Sequence, residues 1–228
     1  PNGGQGGIWM GGAGLSIDEQ GFMYVATSNG DFSDDLDRLN AQGFPINGNY
    51  ATSILKLTLD PTTSPTNQHT NGWGIRVVDY FTPSDQALQS LTDLNLGSSG
   101  VTILPDSVGT TQRPHLLVAG GKNGKIYLVD RDNMGKFNRT ADSSVQTLVD
   151  AVNGLMSTPA YFNGTLYFVG SYTDIGKRFR MQNGLINTTP ESSTSQQFLF
   201  PGSTPTISAN GADNAIVWNL DRGTRQLR

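Results

Sequence analysis

The chain has 228 residues, few charges and many glycines. Fifteen Lys and Arg stand against nineteen Asp and Glu, for a net charge of −4, and no basic cluster is long enough to track a phosphate backbone, so nucleic acid is excluded as an expected partner. No apolar run approaches the roughly 18 residues of a membrane-spanning helix, and the absence of cysteine excludes a disulfide framework.

The glycine content favours an all-β chain with many turns. Glycine accounts for 28 of the 228 residues, well above the usual share of about 7%, and the apolar residues are grouped in short alternating runs. The length fits one all-β domain or a piece of a larger one. Because the first residue is Pro1 rather than Met, we expect that a preceding segment has been processed or left out.

Four strands are predicted in the first part of the chain, where short apolar runs are bounded by turn residues. Two polar insertions, residues 29–49 and 61–71, separate the second strand from the third and the third from the fourth, and are predicted to be long loops. The four predicted strands are residues 15–18, 22–26, 53–59 and 75–81.

Three further units with the same pattern follow. In the third unit, Asn163-Gly164 separates residues 159–162 from residues 165–170, and this dipeptide accepts the positive φ angles of a tight hairpin turn. The other predicted strands are residues 100–104, 116–119, 125–130 and 145–149 in the second unit, 177–181 in the third, and 203–208 and 215–220 in the fourth.

The units are related by sequence as well as by pattern. The segment STPAYFNG at Ser157 returns as STPTISANG at Ser203, and the equivalent positions Leu15, Val101, Pro159 and Pro205 are spaced by 86, 58 and 46 residues. A four-stranded propeller blade needs roughly 40 to 50 residues.

We therefore predict an all-β fold, a β-propeller of four-stranded antiparallel blades, with about three complete blades and a partial one present. The predicted units are approximately residues 9–82, 97–150, 154–195 and 200–228. They are too few to close a ring of four to eight blades, so the expected partner is the rest of the propeller or another protein chain. A β-sandwich with accidental internal similarity is the alternative.

The repeat resembles a known family. The pattern S-T-P-A-x-x-x-G-x-[LV]-Y at Ser157, together with GKIYLVD at residues 124–130 and the following Gly135-Lys136, is similar to the pyrroloquinoline-quinone-like (PQQ-like) repeat of quinoprotein dehydrogenase-type β-propellers. The chain departs from that family in two respects: no Trp follows residues 130–136, where family blades often carry a docking Trp, and the adjacent cysteine pair of quinoprotein alcohol dehydrogenases is missing. The resemblance implies an extracellular or periplasmic location.

Two functions remain open. The first is a secreted or periplasmic propeller that acts as a binding or structural module through the long loops at residues 29–49, 61–71 and 131–144. The second, implied by the resemblance, is a PQQ-dependent oxidoreductase of alcohols or sugars. There the planar quinone would lie above a Ca²⁺ ion in the central channel, a carboxylate would take the hydroxyl proton and the quinone would accept the hydride.

An acidic stretch in the first insertion is a candidate calcium loop. Ca²⁺ binds six to eight oxygen ligands, and four carboxylates within seven residues could supply much of that set. The stretch is not an EF-hand, because Leu36 stands where the loop needs glycine, and a solvated acidic loop is the alternative. The candidate ligands are Asp31, Asp34, Asp35 and Asp37.

Other candidate sites are explained by ordinary structural roles. The histidines, His69 and His115, are expected at the surface or at a strand end. The glycine-rich run at residues 120–125 lacks the spacing of a phosphate loop and is predicted to be a turn. Trp9 and Trp73 precede strands, where either could face a ligand at a rim. The three glycosylation sequons, at Asn138, Asn163 and Asn187, are about as many as chance predicts.

Overall fold

The computed structural model describes residues 6–30, 38–60 and 74–228. Within these ranges the chain is all-β, as predicted, and its sheets are antiparallel apart from one short added strand. The strands are β1 (Ser16–Ile17), β2 (Met23–Ala26), β3 (Ile54–Leu59), β4 (Ile75–Thr82), β5 (Thr102–Ile103), β6 (Leu116–Gly120), β7 (Ile126–Asp130), β8 (Lys136–Phe137), β9 (Gln146–Leu148), β10 (Ala160–Phe162), β11 (Thr165–Val169), β12 (Asp174–Gln182), β13 (Leu185–Ile186), β14 (Ser192–Phe198), β15 (Thr206–Asn210), β16 (Asp213–Trp218), β17 (Leu220–Asp221) and β18 (Gln226–Leu227). One short helix, α1 (Gln86–Leu91), lies between β4 and β5.

Each of the first three units contributes one sheet of antiparallel strands, but β8, which lies in the second unit within the predicted loop at residues 131–144, joins the first sheet instead. The first sheet has the order β1-β2-β3-β4, with β8 added in parallel beside β4. The second sheet has the order β5-β6-β7-β9, and the third has β10-β11-β12-β14, with β13 paired to the end of β12. A fourth sheet contains β15 and β16, and β17 pairs with β18. None of these sheets closes on itself within the described ranges.

The second sheet is buried on both faces. Leu117 and Tyr127 point into a core shared with the first sheet, whereas their chain neighbours Leu116 and Leu128 point into a core shared with the third sheet. Because side chains alternate across a strand, a strand covered on both faces must be apolar throughout rather than at every second position. The runs LLVAG in β6 and IYLVD in β7 satisfy this requirement, and three sheets are therefore stacked in chain order.

The outer face of the first sheet is covered by the chain between β2 and β3. Phe44 and Tyr50 place their rings 5.8 and 5.2 Å from the ring of Tyr80 on β4, and the Tyr80 hydroxyl donates a 2.7 Å hydrogen bond to the Gly43 carbonyl. Burial raises the pKa of Tyr80 to about 12. The described part of this insertion therefore packs on the sheet.

The fourth sheet is the least covered. Ile216 is 49% exposed and Trp218 is 36% exposed, with the indole Nε1 donating to the Ser208 hydroxyl at 2.8 Å. A pocket of about 340 Å³ separates the inner face of β16 from the third sheet. Apolar residues of this sheet are thus available for contact with further structure.

A buried ion pair ties the first sheet to the second. Arg131, just after β7, is 3.2 Å from Asp18 in the β1–β2 turn, and the two side chains are 3% and 2% exposed. The Tyr24 hydroxyl also donates to Asp18, and Lys56 donates to the Arg131 carbonyl. Burial acts to raise the pKa of Asp18, but the hydrogen bonds from Tyr24 and the turn, with the charge of Arg131, outweigh it, and the pKa lies below its ordinary value.

Among the described residues, no helix has both the length and the apolar character needed to cross a membrane.

Candidate functional site

The connections between the last strand of one sheet and the first strand of the next lie at one end of the stack. Because successive strands alternate in direction, the β4–β5, β9–β10 and β14–β15 connections share this end with the β2–β3, β6–β7 and β11–β12 connections. We call it the crossover end. The short β1–β2, β10–β11 and β15–β16 turns lie at the opposite end, which we call the hairpin end.

Backbone hydrogen bonds hold the crossover connections to one another. In each bond, a backbone carbonyl of one connection accepts a hydrogen bond from a backbone N–H of the next. The chain of bonds runs from the β4–β5 connection through the β6–β7 turn and the β9–β10 connection to the β11–β12 turn. Such a network makes a preformed rim rather than a set of independent loops. The bonds are Lys122 N–H to Asn95 O at 3.2 Å, Leu155 N–H to Gly121 O at 2.9 Å and Ser171 N–H to Gly154 O at 2.8 Å.

An N-terminal strap, residues 6–13, crosses this end of the stack. In the β2–β3 connection, the Ser28 N–H donates to the Gly7 carbonyl of the strap at 2.7 Å. The Thr158 hydroxyl donates to Met10 O at 3.0 Å, and the Thr204 hydroxyl donates to Gly11 O at 2.9 Å. The strap therefore connects the first sheet to the segments that open the third and fourth sheets.

These contacts explain the STP repeat. Thr158 and Thr204 occupy equivalent positions in the two copies, and their hydroxyls bind two successive carbonyls of the strap. The equivalent residue of the second unit is Gly100, where a Cβ atom would lie 2.7 Å from Met10 O and 2.2 Å from the Thr158 hydroxyl. Only glycine leaves room for the strap at that position.

A pocket of about 620 Å³ opens between the strap and the crossover connections. The strap contributes Trp9, the β4–β5 connection Asp93 and Leu94, and the β6–β7 turn Lys122. The remaining wall comes from residues before β10, between β11 and β12, and between β14 and β15. This wall includes Met156, Tyr172, Phe200 and Pro201.

Three aromatic side chains in this pocket are unusually exposed. Trp9 is 69% exposed, and Tyr172 and Phe200 are each 50% exposed. The Tyr172 and Phe200 rings lie 5.7 Å apart at an angle of 42°. Large aromatic side chains normally lose most of their water-accessible surface on folding, so the pocket with this exposed group is the candidate interaction site.

The charges of the pocket are paired. Lys122 Nζ lies 2.9 Å from Asp93 Oδ2 and 5.7 Å from the centroid of the Trp9 ring. Asp93 Oδ1 accepts hydrogen bonds from the side-chain amides of Asn29 and Asn95, at 2.8 and 3.1 Å. The hydrogen bond from Lys122, followed by the Lys122 charge and the two amides, overcomes partial burial and lowers the pKa of Asp93. This carboxylate is therefore ionised at neutral pH.

The two amides that hold Asp93 have unused acceptors. The Oδ1 atoms of Asn29 and Asn95 are buried and have no hydrogen-bond partner among the described residues. Buried amide oxygens are normally satisfied by protein or water, and neither residue lines the pocket, so these atoms lie behind Asp93 rather than in the site.

The candidate calcium loop cannot be placed. Asp31, Asp34, Asp35 and Asp37 lie outside the described residues, as do His69 and Trp73. Among the residues that the structure describes, no group of three or more His, Cys, Asp or Glu side chains could hold a metal ion.

The remaining candidates from the sequence lie away from the pocket or in turns. His115 contacts Asp132 at 2.7 Å and Asp106 at 3.6 Å, at the hairpin end. The glycine-rich run forms the predicted turn: Gly124 has a φ of +76°, and a Cβ atom there would lie 2.3 Å from the Val152 carbonyl. At the first sequon, the Asn138 side-chain oxygen accepts hydrogen bonds from the backbone N–H and the hydroxyl of Thr140 and so forms a local turn.

Of the pocket residues, the sequence identified only Trp9 as a candidate. The others lie in five separate connections between residues 92 and 201, and no spacing rule connects them. No known protein-family model matches the chain, and no curated protein matches it.

Proposed function

We propose that this chain is part of a β-propeller of the PQQ-like repeat type and that it acts as a secreted or periplasmic binding module, with its ligand in the crossover-end pocket. The architecture supports the proposal because three consecutive four-stranded antiparallel sheets are stacked in chain order with apolar faces in contact. That is the arrangement expected of propeller blades. The exposed apolar residues of the fourth sheet support a partner there, either the rest of the propeller or another chain.

The observation that carries the binding role is the group of exposed aromatic rings in the pocket. Trp9, Tyr172 and Phe200 come from three distant parts of the chain and converge on one concave site. Binding sites tend to be concave, largely apolar and equipped with a few directional polar groups, and Asp93 and Lys122 supply such groups. The hydrogen-bonded connections keep the site preformed, which lowers the entropic cost of binding.

A PQQ-dependent oxidoreductase is the second candidate. One observation favours it: aromatic rings and the Met156 thioether would suit a flat quinone. The charge of the site argues against it, because a tri-anionic quinone needs cations to pair with its carboxylates. Among the described lining residues the cation is Lys122, which already binds Asp93. Desolvating unpaired carboxylates is costly, so we place the binding module first.

The binding role can be tested with labelled tryptophan. The chain contains three Trp, so ¹⁵N-indole labelling should give three resolved N–H signals, and Trp9→Phe and Trp218→Phe would assign two of them. The protein is then titrated with a chemically diverse library of small neutral, anionic and cationic compounds. We expect binders to shift the Trp9 signal and to leave the Trp218 signal unchanged.

The matched variants sharpen this test. Removing an aromatic anchor from a binding site costs about 2 kcal/mol or more, so Trp9→Ala should weaken any binder at least tenfold, whereas Trp218→Ala should not. Binders that ignore Trp9, or that keep their affinity in Trp9→Ala, would contradict the assignment of the site.

A further inference from the structure

We infer that the ligand of the crossover-end pocket is a neutral oligosaccharide, held by stacking on the exposed aromatic rings and by hydroxyl groups that donate hydrogen bonds to Asp93 and accept them from Lys122. This inference rests on the proposed binding role and adds the chemical class of the ligand.

The aromatic rings favour a ligand with flat, weakly polar faces. The Trp9 side chain on the strap is 69% exposed. The side chains of Tyr172 in the β11–β12 connection and Phe200 in the β14–β15 connection are each 50% exposed. The face of an aromatic ring carries partial negative charge, which attracts the partly positive C–H groups on the face of a pyranose ring. A sugar ring also keeps its hydroxyls at its edge, so that it can stack on a ring and remain hydrogen-bonded around its rim.

The paired charges favour a ligand without net charge. Asp93 and Lys122 neutralise each other at 2.9 Å, so an anionic ligand would have to compete with Asp93, and a cationic ligand would have to compete with Lys122. Because the Lys122 side chain is mostly buried, separating the pair would leave its ammonium without a partner, which costs free energy, whereas the Asp93 carboxylate is 69% exposed and loses little. A neutral ligand can join both groups without separating them.

Hydroxyl groups match this polar corner particularly well. A hydroxyl both donates and accepts, so one hydroxyl can donate to the Asp93 carboxylate while a neighbour accepts from the Lys122 ammonium, as charge-assisted hydrogen bonds. The Asn29 and Asn95 amides hold Asp93 in place from behind.

The size of the pocket favours more than one sugar unit. About 620 Å³ lies within the usual range of roughly 300 to 1,000 Å³ for ligand sites and exceeds what a single pyranose ring fills. An oligosaccharide could place one ring on Trp9 and a neighbouring ring against Tyr172 and Phe200.

The test is calorimetric titration of the purified protein with defined hexasaccharides. The neutral probes are cellohexaose, maltohexaose, xylohexaose and chitin hexasaccharide; the charged controls are hexagalacturonate and chitosan hexasaccharide. We expect at least one neutral probe to bind more tightly than both charged probes. We also expect its affinity to change less than about twofold between 50 and 500 mM salt, since no net charge is neutralised.

Four variants localise the binding. Trp9→Ala and Tyr172→Ala should each weaken the neutral probe at least tenfold, and Asp93→Asn should weaken it several-fold, whereas Trp218→Ala should leave it unchanged. Tyr172→Phe keeps the ring and should retain most of the affinity, which separates stacking from loss of folding. Circular dichroism of each variant reports the fold independently.

Several outcomes would overturn the inference. A charged probe that binds most tightly, or neutral binding that survives both Trp9→Ala and Tyr172→Ala, contradicts it. If no saccharide binds but other compounds shift the Trp9 indole signal, the saccharide class is wrong and the binding role stands. If nothing shifts the Trp9 signal, both proposals fail.

Discussion

Truncation of two neighbouring leucines on β6 tests the stacking of the sheets. Leu116 and Leu117 are adjacent in the chain and both have 0% exposure, but Leu116 belongs to the core between the second and third sheets and Leu117 to the core between the first and second. In a sheet with one solvent-facing side, only one of the two would be buried. We therefore expect Leu116→Ala and Leu117→Ala to be destabilising to a similar degree.

The expected cost follows from the burial of each side chain. A fully buried Leu→Ala change removes methyl and methylene groups from the core and leaves a cavity, at about 2 to 5 kcal/mol. For a domain of this size, each kcal/mol shifts the melting temperature by about 2 to 4 °C, so each variant should melt roughly 4 to 20 °C lower than the wild type. Leu91→Ala, at an 84% exposed position on α1, should stay within about 0.5 kcal/mol of the wild type.

The assay is equilibrium denaturation in urea, with the melting temperature measured in parallel. The free energy of unfolding is compared for the three variants and the wild type under conditions where each transition is cooperative. A loss above 2 kcal/mol at one leucine with a loss below about 1 kcal/mol at its neighbour would refute a middle sheet covered on both faces.

Five other predictions concern the buried ion pair, the strap, the acidic loop and the quinone. Arg131→Met should lower the free energy of unfolding by about 1.5 to 3 kcal/mol, because it removes the charged hydrogen-bond partner of the buried Asp18 carboxylate, which keeps its hydrogen bonds from Tyr24 and the turn. Since the folded-state pKa of Asp18 is lowered from 3.8, its stabilising contribution should be full above about pH 5 and be lost only as the pH falls below about 4; an acid midpoint unchanged by Asp18→Asn would refute this. Thr158→Val should cost about 0.5 to 1.5 kcal/mol, measured by urea denaturation, by removing one of the two hydrogen bonds that the Met10 carbonyl accepts; the other, from the Ala13 N–H, remains. We expect calorimetric titration with Ca²⁺ to give different heats for the wild type and for the variant Asp34→Asn/Asp35→Asn. Identical titrations without heat would mean that the acidic loop binds no Ca²⁺ and is only solvated. Reconstitution with PQQ and Ca²⁺ should give no stoichiometric retention of the quinone after excess is removed, and retention or turnover of alcohols or sugars above a no-protein control would favour the oxidoreductase.

Local chemistry made much of the fold predictable. Asn163-Gly164 was predicted as a hairpin turn, and the two residues have φ angles of +44° and +76° between β10 and β11. The four antiparallel strands of each of the first two sheets lie within a few residues of the predicted runs, because their apolar residues face packed cores. β8 lies in residues 131–144, which were predicted to be a loop, and forms by parallel pairing with β4.

The strands β8, β13, β14 and β18 were not predicted, and β14 is the longest of them. β14 (Ser192–Phe198) reads SSTSQQF and is exposed over most of its length, so it carries no apolar alternation. It forms because the edge of β12 offers backbone hydrogen-bonding groups in register, with Asp174 opposite Phe198. Strand formation there depends on tertiary pairing rather than on local sequence.

The candidate site was mostly hidden for a related reason. Trp9 could be singled out because a large aromatic residue before a strand has no obvious place in a core. Tyr172 and Phe200 carry no such signal, since each lies in a short connection and they meet only when the third sheet has folded. Asp93 likewise becomes part of a site only through Lys122, which is distant in sequence.

Hydrogen exchange with and without a bound ligand tests the central claim most directly, that the crossover end is one binding site built from sequence-distant connections. The protein is exchanged in D₂O alone and with saturating amounts of the tightest binder from the indole titration, and peptides are read by mass spectrometry. The account predicts slower exchange, together, in peptides that cover residues 7–13, 92–98, 121–125, 153–157, 170–173 and 199–202. It predicts no change at the hairpin-end turns, residues 18–21, 163–164, 183–184 and 211–212. Protection confined to a single connection, or protection of the hairpin-end turns instead, would contradict it.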